Sequence, residues 1–380
     1  MKIALVTRRY PPLIGGAERV LSYLGPALAA EGHAVTVLTS RVDPTTPAVE
    51  IGDAPGPGSF RVERLATSPL RFVGTLLYAR ALGRWFARHP VDVAYVSMLK
   101  HDAYAVLGAA RRGGFPVVLR PEGAGRTGDI AWQAWGRFGR TIARRCRARA
   151  DALVAISPAV RGELLADGYD PARIVDLPNG VPIPPEPWAR PAGLGESLRA
   201  TYVGRLSFEK GVDVLVRAWP GVRAAVPGAR LTLVGDGPER PALDGLIRDL
   251  DLGDAVTLAG AMADPSVELR RSSLFVLPSR EEGMSVALLE AMALGIPLVA
   301  SAIPGNRALI EPGAHGRLAP PDDPAALAAA IVAHHLDPAA PALARAARAR
   351  AEADYSIAAV ARRHVALFER VIAGWGGTGQ

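Results

Sequence analysis

Short apolar runs alternate along this chain with longer stretches in which apolar residues recur every three or four positions. In the first half the strand-like runs are Ile3–Val6, Val35–Leu38, Val91–Val96, Val117–Leu119, Ala152–Ile156 and Ile174–Leu177. Helix-like stretches separate most of them, near residues 17–31, 70–88, 101–112, 129–149 and 158–167. The second half resumes the rhythm with Ala200–Val203, Leu231–Val234, Val256–Leu258, Leu274–Leu277 and Leu298–Ala300. Strands that are apolar throughout, rather than at every second residue, are covered on both faces, as in a parallel sheet flanked by helices. Between the halves lies Val181-Pro182-Ile183-Pro184-Pro185-Glu186-Pro187, whose prolines forbid a helix and mark a linker. The pattern predicts an α/β protein of two doubly wound, Rossmann-like domains, residues 1–181 and 196–355, joined by a linker over 182–195. Ligands of such sheets bind beyond the carboxyl ends of the strands, so a cleft between two facing domains is the expected site.

Length and composition agree. At 380 residues the chain exceeds what one core usually serves. An apolar content of 49% with 21% charged residues excludes a disordered chain. The single cysteine, Cys146, leaves no intramolecular disulfide and fits a reducing compartment. Met1–Thr7 is too short an apolar run for a signal peptide, and no run approaches the roughly 20 residues of a membrane span. A cytoplasmic protein is expected.

Charge changes the picture more. Residues 1–180 carry 24 Lys and Arg against 15 Asp and Glu, whereas residues 181–380 carry 20 against 22. Arg137, Arg140, Arg144, Arg145, Arg147 and Arg149 crowd one helix-like segment, interleaved with Trp132, Trp135, Phe138 and Ile142. Such a segment can rest on an anionic membrane surface, at the inner face of the membrane, or simply be a solvated face in an Arg-biased chain. No nucleic-acid motif accompanies the charge. The seven histidines show no metal-ligand spacing with carboxylates, so no metal is expected.

The chemistry concentrates in Ser279–Glu290. Glu282 lies in a polar loop after Leu274–Leu277, and Glu290 falls in the run Val286–Ala293, about two turns into the helix on the 3.6-residue period. A strand, a Gly-containing loop and a helix start can hold an anion on backbone N–H groups, here those near Gly283, Met284 and Ser285. Carboxylates suit vicinal hydroxyls of a sugar or ribose. Two isolated glutamates could equally be solvated, but Glu290 stands among Leu288, Leu289, Ala291 and Met292, where an unpartnered charge is costly. Gly204-Arg205 and Lys210 follow the first strand of the second domain; a planar fork and an ammonium would neutralise a diphosphate. Lys210 is one of only three lysines. Gly235-Asp236-Gly237 ends another strand at the same sheet edge. Leu13-Ile14-Gly15-Gly16 opens the first helix with a turn that lets backbone approach a ligand closely.

Together these motifs resemble glycosyltransferase family 4, retaining sugar transferases of the two-domain GT-B fold, and the resemblance spans essentially the whole chain. It implies that Arg205 and Lys210 bind the donor diphosphate, Glu290 the ribose, and Glu282 the transferred sugar. It implies that Gly15 and Gly16 approach the donor from the first domain. It also implies that the terminal segment, 356–380, crosses back onto the first domain. The expected reaction moves a sugar from a nucleotide diphosphosugar, UDP-linked ahead of GDP-linked, to a glycan or lipid-linked acceptor in cell-surface polysaccharide or glycoconjugate synthesis, without cofactor or metal. Two departures stand out. The family's first-domain His is missing from Leu119-Arg120-Pro121-Glu122-Gly123, leaving Glu122, Arg120 or His101 to face the sugar or acceptor. Pro304-Gly305-Asn306-Arg307 replaces the usual Gly-Gly loop. A nucleotide-sugar epimerase on this architecture and a non-catalytic sugar-binding module are the competing readings.

Overall fold

A computed structural model describes residues 1–12, 15–53, 56–194 and 197–375. Leu13 and Ile14 of the Gly-Gly loop, the end of the linker and the last five residues therefore lie outside the described residues. The chain forms two compact units. One is built from the residues before Val181 plus those from Ile357 onward; the other is Val181–Ser356, with which Gly15 and Gly16 also group.

The first unit is an eight-stranded sheet made of β1 (Lys2–Val6), β2 (Ala34–Ser40), β3 (Val49–Gly52), β4 (Ser59–Leu65), β5 (Val93–Ser97), β6 (Val117–Arg120), β7 (Ala152–Ala155) and β8 (Ile174–Asp176). Its order is β3-β4-β2-β1-β5-β6-β7-β8, and only β3–β4 pairs antiparallel. Helices α1 (Gly16–Ala30), α2 (Arg71–Arg88), α3 (His101–Gly113), α4 (Asp129–Ala134), α5 (Gly136–Arg149) and α6 (Pro158–Ala166) connect the strands. Ile3, Leu5, Val37, Val93, Val96, Val118 and Val154 are all buried, as strands between two helical layers require.

The second unit is a six-stranded parallel sheet, β9 (Arg199–Val203), β10 (Arg230–Val234), β11 (Val256–Gly260), β12 (Leu274–Leu277), β13 (Leu298–Ser301) and β14 (Arg317–Ala319), in the order β11-β10-β9-β12-β13-β14. Its helices are α7 (Val212–Ala225), α8 (Arg240–Asp249), α9 (Ser266–Arg270), α10 (Val286–Leu294), α11 (Pro304–Arg307), α12 (Pro324–His335) and α13 (Ala340–Asp354). The last helix, α14 (Ile357–Trp375), belongs to the first unit, where Val360, His364, Leu367 and Phe368 are buried and Tyr95 packs edge-on to Phe368.

Strand order fixes where ligands can sit. In the first sheet the connections run one way from β1 and the other way from β5; in the second they diverge between β9 and β12. At such a switch point two neighbouring loops leave in opposite directions and open a crevice at the carboxyl ends. The loops after β9 and β12 carry Arg205, Lys210 and Glu282.

Three strands escaped the apolar-run pattern. β4 buries Phe60 and Val62 but interleaves charged residues, so it reads as alternation rather than as a continuous run. β3 is largely exposed and β14 has three residues. The helix expected over 129–149 is two helices, broken at Trp135–Gly136, where Gly136 takes φ +67°.

Candidate active site

The β9–α7 loop is held open by close backbone packing. The Gly204 amide donates to the Val234 carbonyl (3.0 Å), the Leu206 amide to the Asp236 carbonyl (2.9 Å), and the Tyr202 hydroxyl to the Arg205 carbonyl (2.8 Å). Gly235 is at φ +142°, and a Cβ there would run into the Gly204 carbonyl oxygen. Gly237 is similarly pressed against Leu206, and its amide donates to the Asp236 carboxylate (2.7 Å). The two glycines of Gly235-Asp236-Gly237 thus let two strand-end loops touch. The Arg205 side chain emerges exposed, with no ion pair or hydrogen bond to a described residue.

Lys210 and Glu282, which the sequence assigned to different parts of a ligand, form an ion pair. Lys210 Nζ lies 2.6 Å from Glu282 Oε1, and the glutamate side chain is only 7% exposed. The Ser279 hydroxyl donates to the same oxygen (2.8 Å). This loop is braced from behind. The Ser301 hydroxyl donates to the Ser279 carbonyl, and fully buried Asn306 donates to the Ser301 carbonyl (2.9 Å) and hydroxyl (3.1 Å). Gly305 packs so tightly on Glu282 that a Cβ would strike the Glu282 carbonyl. The unusual Pro304–Arg307 segment, which forms the short helix α11, is therefore a support for the glutamate.

A second brace joins the two loops. Arg280 makes a bidentate pair with Asp213 (2.8 and 2.9 Å), reaches Asp322 (2.5 Å) and the Phe208 carbonyl (2.7 Å), and lies over the Phe208 ring. Burial opposes the charge of Asp213, but the hydrogen bonds and charge of Arg280 outweigh it and hold that carboxyl below its ordinary range. Arg280 drew no notice in the sequence because one arginine among 41 carries no signal.

After Glu282 the chain enters α10. The Ser285 hydroxyl caps the helix by accepting from the Leu288 amide (3.3 Å). The amides of buried Gly283 and Ser285 donate to no described residue. Half-buried Glu290 stands at the fifth helical residue, just over one turn in rather than two, since the helix begins at Val286.

In the first unit, buried Arg120 spends its guanidinium on the Ser97 hydroxyl (3.2 Å), Glu122 (3.3 Å) and Asn179 Oδ1 (2.6 Å). It therefore positions its neighbours and presents nothing itself. Glu122 also accepts from the Ser97 hydroxyl; its amide donates to Asp129 (2.8 Å), and burial raises its pKa against the pull of Arg120. His101 stacks on Phe138 and meets Trp132 edge-on, both with ring centroids 5.2 Å away. Gly15 and Gly16 stand where the loop after β1 becomes α1, with open space around the Gly16 Cα. Among the described residues no group of three His, Cys, Asp or Glu could hold a metal ion, and no helix is long and apolar enough to cross a membrane.

Solved structures share this architecture across nearly the whole chain. Sucrose-phosphate synthase from Thermosynechococcus elongatus is 26% identical, with 98% of this chain and 99% of that one covered and a TM-score of 0.83. HepE of Anabaena, solved with UDP-glucose, is 20% identical at a TM-score of 0.79, covering 97% of this chain and all of that one, and speaks for the fold alone. The class is thus the GT-B glycosyltransferases. Residues 14–183 match the model of "Glycosyltransferase Family 4" and residues 197–337 that of "Glycosyl transferases group 1". Glycogen synthase of Mycobacterium tuberculosis is 30% identical over 384 residues, covering 95% of this chain and 92% of the relative. A GDP-mannose-dependent phosphatidylinositol monomannoside mannosyltransferase of the same organism is 28% identical over 318 residues, 79% of this chain and 80% of that one. The chain belongs to glycosyltransferase family 4, and it is a glycosyltransferase.

Proposed function

We propose that this enzyme transfers a sugar, with retention of configuration, from a nucleotide diphosphosugar to a glycan or lipid-linked acceptor. The observation that carries the reading is the Lys210–Glu282 pair, with Arg205, which pairs with no described residue, on the same loop as Lys210, at the switch point of the second sheet and the start of α10. Bond breaking gives an oxocarbenium-like sugar and concentrates negative charge on the departing diphosphate. Fixed cations and helix-terminal amides stabilise that charge without reorganising at the moment of reaction. Arg205, Lys210 and the amides of Gly283, Met284 and Ser285 take that role, so no metal or other cofactor is required. Lys210 is held by Glu282 until the diphosphate competes for it, which couples phosphate binding to the freeing of Glu282 for the sugar. Glu290 binds the ribose hydroxyls, and Gly235-Asp236-Gly237 borders the nucleoside. Glu122, kept in place by Arg120, takes the position of the family's first-domain His toward the sugar or acceptor.

A membrane-bound acceptor is supported by the surface of the first unit. Helices α2, α3 and α5 pack side by side. They expose Phe72 and Leu76 from α2 and Trp135 and Phe138 at the start of α5, with Arg137, Arg140 and Arg144 also exposed. Apolar side chains framed by cations suit the interface of an anionic bilayer.

The donor assignment is tested by thermal shift against UDP-, GDP- and ADP-sugars, followed by turnover. A ligand bound only by the folded state raises Tm. Arg205→Ala and Lys210→Ala should stay folded, lose the nucleotide-dependent shift, and lose roughly 100- to 1,000-fold in kcat. Undiminished shifts and turnover in both variants would remove the diphosphate assignment.

A further inference from the structure

A second concavity lies in the first unit, at the other edge of its sheet. It has a volume of about 1090 Å³ and is lined at the amino ends of β6, β7 and β8 by Val117, Asp151 and Ile174. Ser97, Arg120 and Glu122 stand at the carboxyl ends, so the concavity is separate from the site above by the length of the strands, on the order of 10 Å. Its size lies just above the range, about 300–1,000 Å³, typical of small-molecule sites.

Five arginines line it, against two aspartates. Arg161 pairs with Asp176 (3.1 Å). Arg173 is taken up by the Ala150 carbonyl (2.9 Å) and Asp170 (3.4 Å). Asp151 accepts from the Val117 amide (2.7 Å). The other three, Arg111, Arg149 and Arg370, make no ion pair or hydrogen bond with a described residue. They come from three different helices, α3, α5 and α14, so their presence along one concavity reflects the fold rather than one charged helical face. Like charges gathered in a concave wall repel one another and focus a positive potential, which an anion relieves. Three planar forks suit the several terminal oxygens of a phosphate better than the two of a carboxylate. The remaining wall is apolar, with Leu107, Phe115, Leu367, Val371 and Trp375. Trp375 is 38% exposed there, although it is a large aromatic.

We infer that this cavity binds a phosphorylated ligand, its phosphate held by Arg111, Arg149 and Arg370 and its apolar or aromatic portion laid against Phe115, Leu367 and Trp375. The ligand is a soluble phosphoester or the headgroup of an anionic lipid, and the site is distinct from that of the sugar donor.

The test titrates phenyl phosphate by calorimetry into three proteins: the wild type, the Arg111→Ala/Arg149→Ala/Arg370→Ala variant and the Arg205→Ala/Lys210→Ala variant. Circular dichroism checks folding, which these exposed arginines should not affect. Wild type should bind saturably, the triple variant about tenfold more weakly or worse, and the double variant like wild type. In parallel, sedimentation with vesicles of phosphatidylglycerol in phosphatidylcholine identifies the lipid source. Vesicle binding lost in the triple variant, with phenyl phosphate silent, would assign the cavity to a lipid headgroup. Two results overturn the inference. One is phenyl phosphate and vesicles that both fail to distinguish the triple variant from wild type; the other is phosphate binding abolished only by Arg205→Ala/Lys210→Ala. Because the two sets of variants address different units, failure here leaves the donor-site reading standing, and the converse holds too.

Discussion

Gly235 shows how a single residue sets the shape of the donor-side loop. Its φ of +142° is open to glycine and nearly closed to anything else, and the Gly204 carbonyl occupies the space a side chain would need. Gly235→Ala should therefore push apart the loops after β9 and β10, lowering Tm by several degrees and weakening nucleotide binding; an unchanged melting curve would contradict the packing described. The sequence showed this glycine as part of a turn motif, Arg205 and Lys210 as a cation pair for a diphosphate, and Glu282 as a separate carboxylate for the sugar. It did not show that Lys210 and Glu282 meet, because 72 residues separate them and only the adjacency of β9 and β12 brings them together. Nor did it show Arg120 as a support. A buried arginine whose forks are all engaged looks the same in sequence as one free to bind.

Among elements, the loops after β9 and β12 behave as one unit because Arg280 ties them. Its fork joins the β12–α10 loop to Asp213 at the start of α7, and its Nε joins Asp322 beyond β14. Arg280→Ala removes these bonds at once. The expected outcome is about a tenfold loss in kcat/KM with a modest drop in Tm, since loosened loops misplace Lys210 and Glu282 together. Steady-state kinetics beside a melting curve decides it: a Tm loss with kinetics intact would make Arg280 a stability residue only. The strands of the second unit, bar β14, were legible because parallel strands covered on both faces announce themselves as apolar runs. β4 was not, since an alternating strand with Arg61, Glu63 and Arg64 resembles a loop until its pairing with β2 is known. The break at Gly136 was hidden for a related reason. The periodicity of α4 and α5 runs on through it, and only the backbone turns.

At the scale of the molecule, His364 contributes to acid sensitivity. Its Nδ1 lies 2.8 Å from the Val360 carbonyl and so must donate to it, which leaves Nε2 to accept from the Tyr95 hydroxyl (3.2 Å) in a neutral ring. Burial, with the nearby Arg120 charge, depresses its pKa to about 4 against the bond to Val360. A depressed histidine leaves the folded state with fewer protons than the unfolded one between pH 6.5 and about 4. The stability it contributes is thus complete above pH 6.5 and is lost as the pH falls through that window. Wild-type Tm should fall more steeply from pH 7 to pH 4.5 than that of His364→Gln; parallel curves would show that this histidine does not govern the acid limb. The exposed aromatic and basic surface of the first unit acts on the same scale. Trp135→Ser/Phe138→Ser should reduce co-sedimentation with phosphatidylglycerol vesicles about tenfold while leaving the protein folded, and equal sedimentation would place the acceptor elsewhere.

The Val181 amide donates to the Tyr355 carbonyl (2.9 Å), and Val181 bridges Ser356, so the second unit is stitched shut where the chain enters and leaves it. That unit can therefore close on its own residues. The first unit cannot: its sheet is laid down early, but Val360, His364, Leu367 and Phe368 arrive only with the final helix. The half of the enzyme that is translated first thus needs, to cover its interior, a helix made only after the whole of the other half.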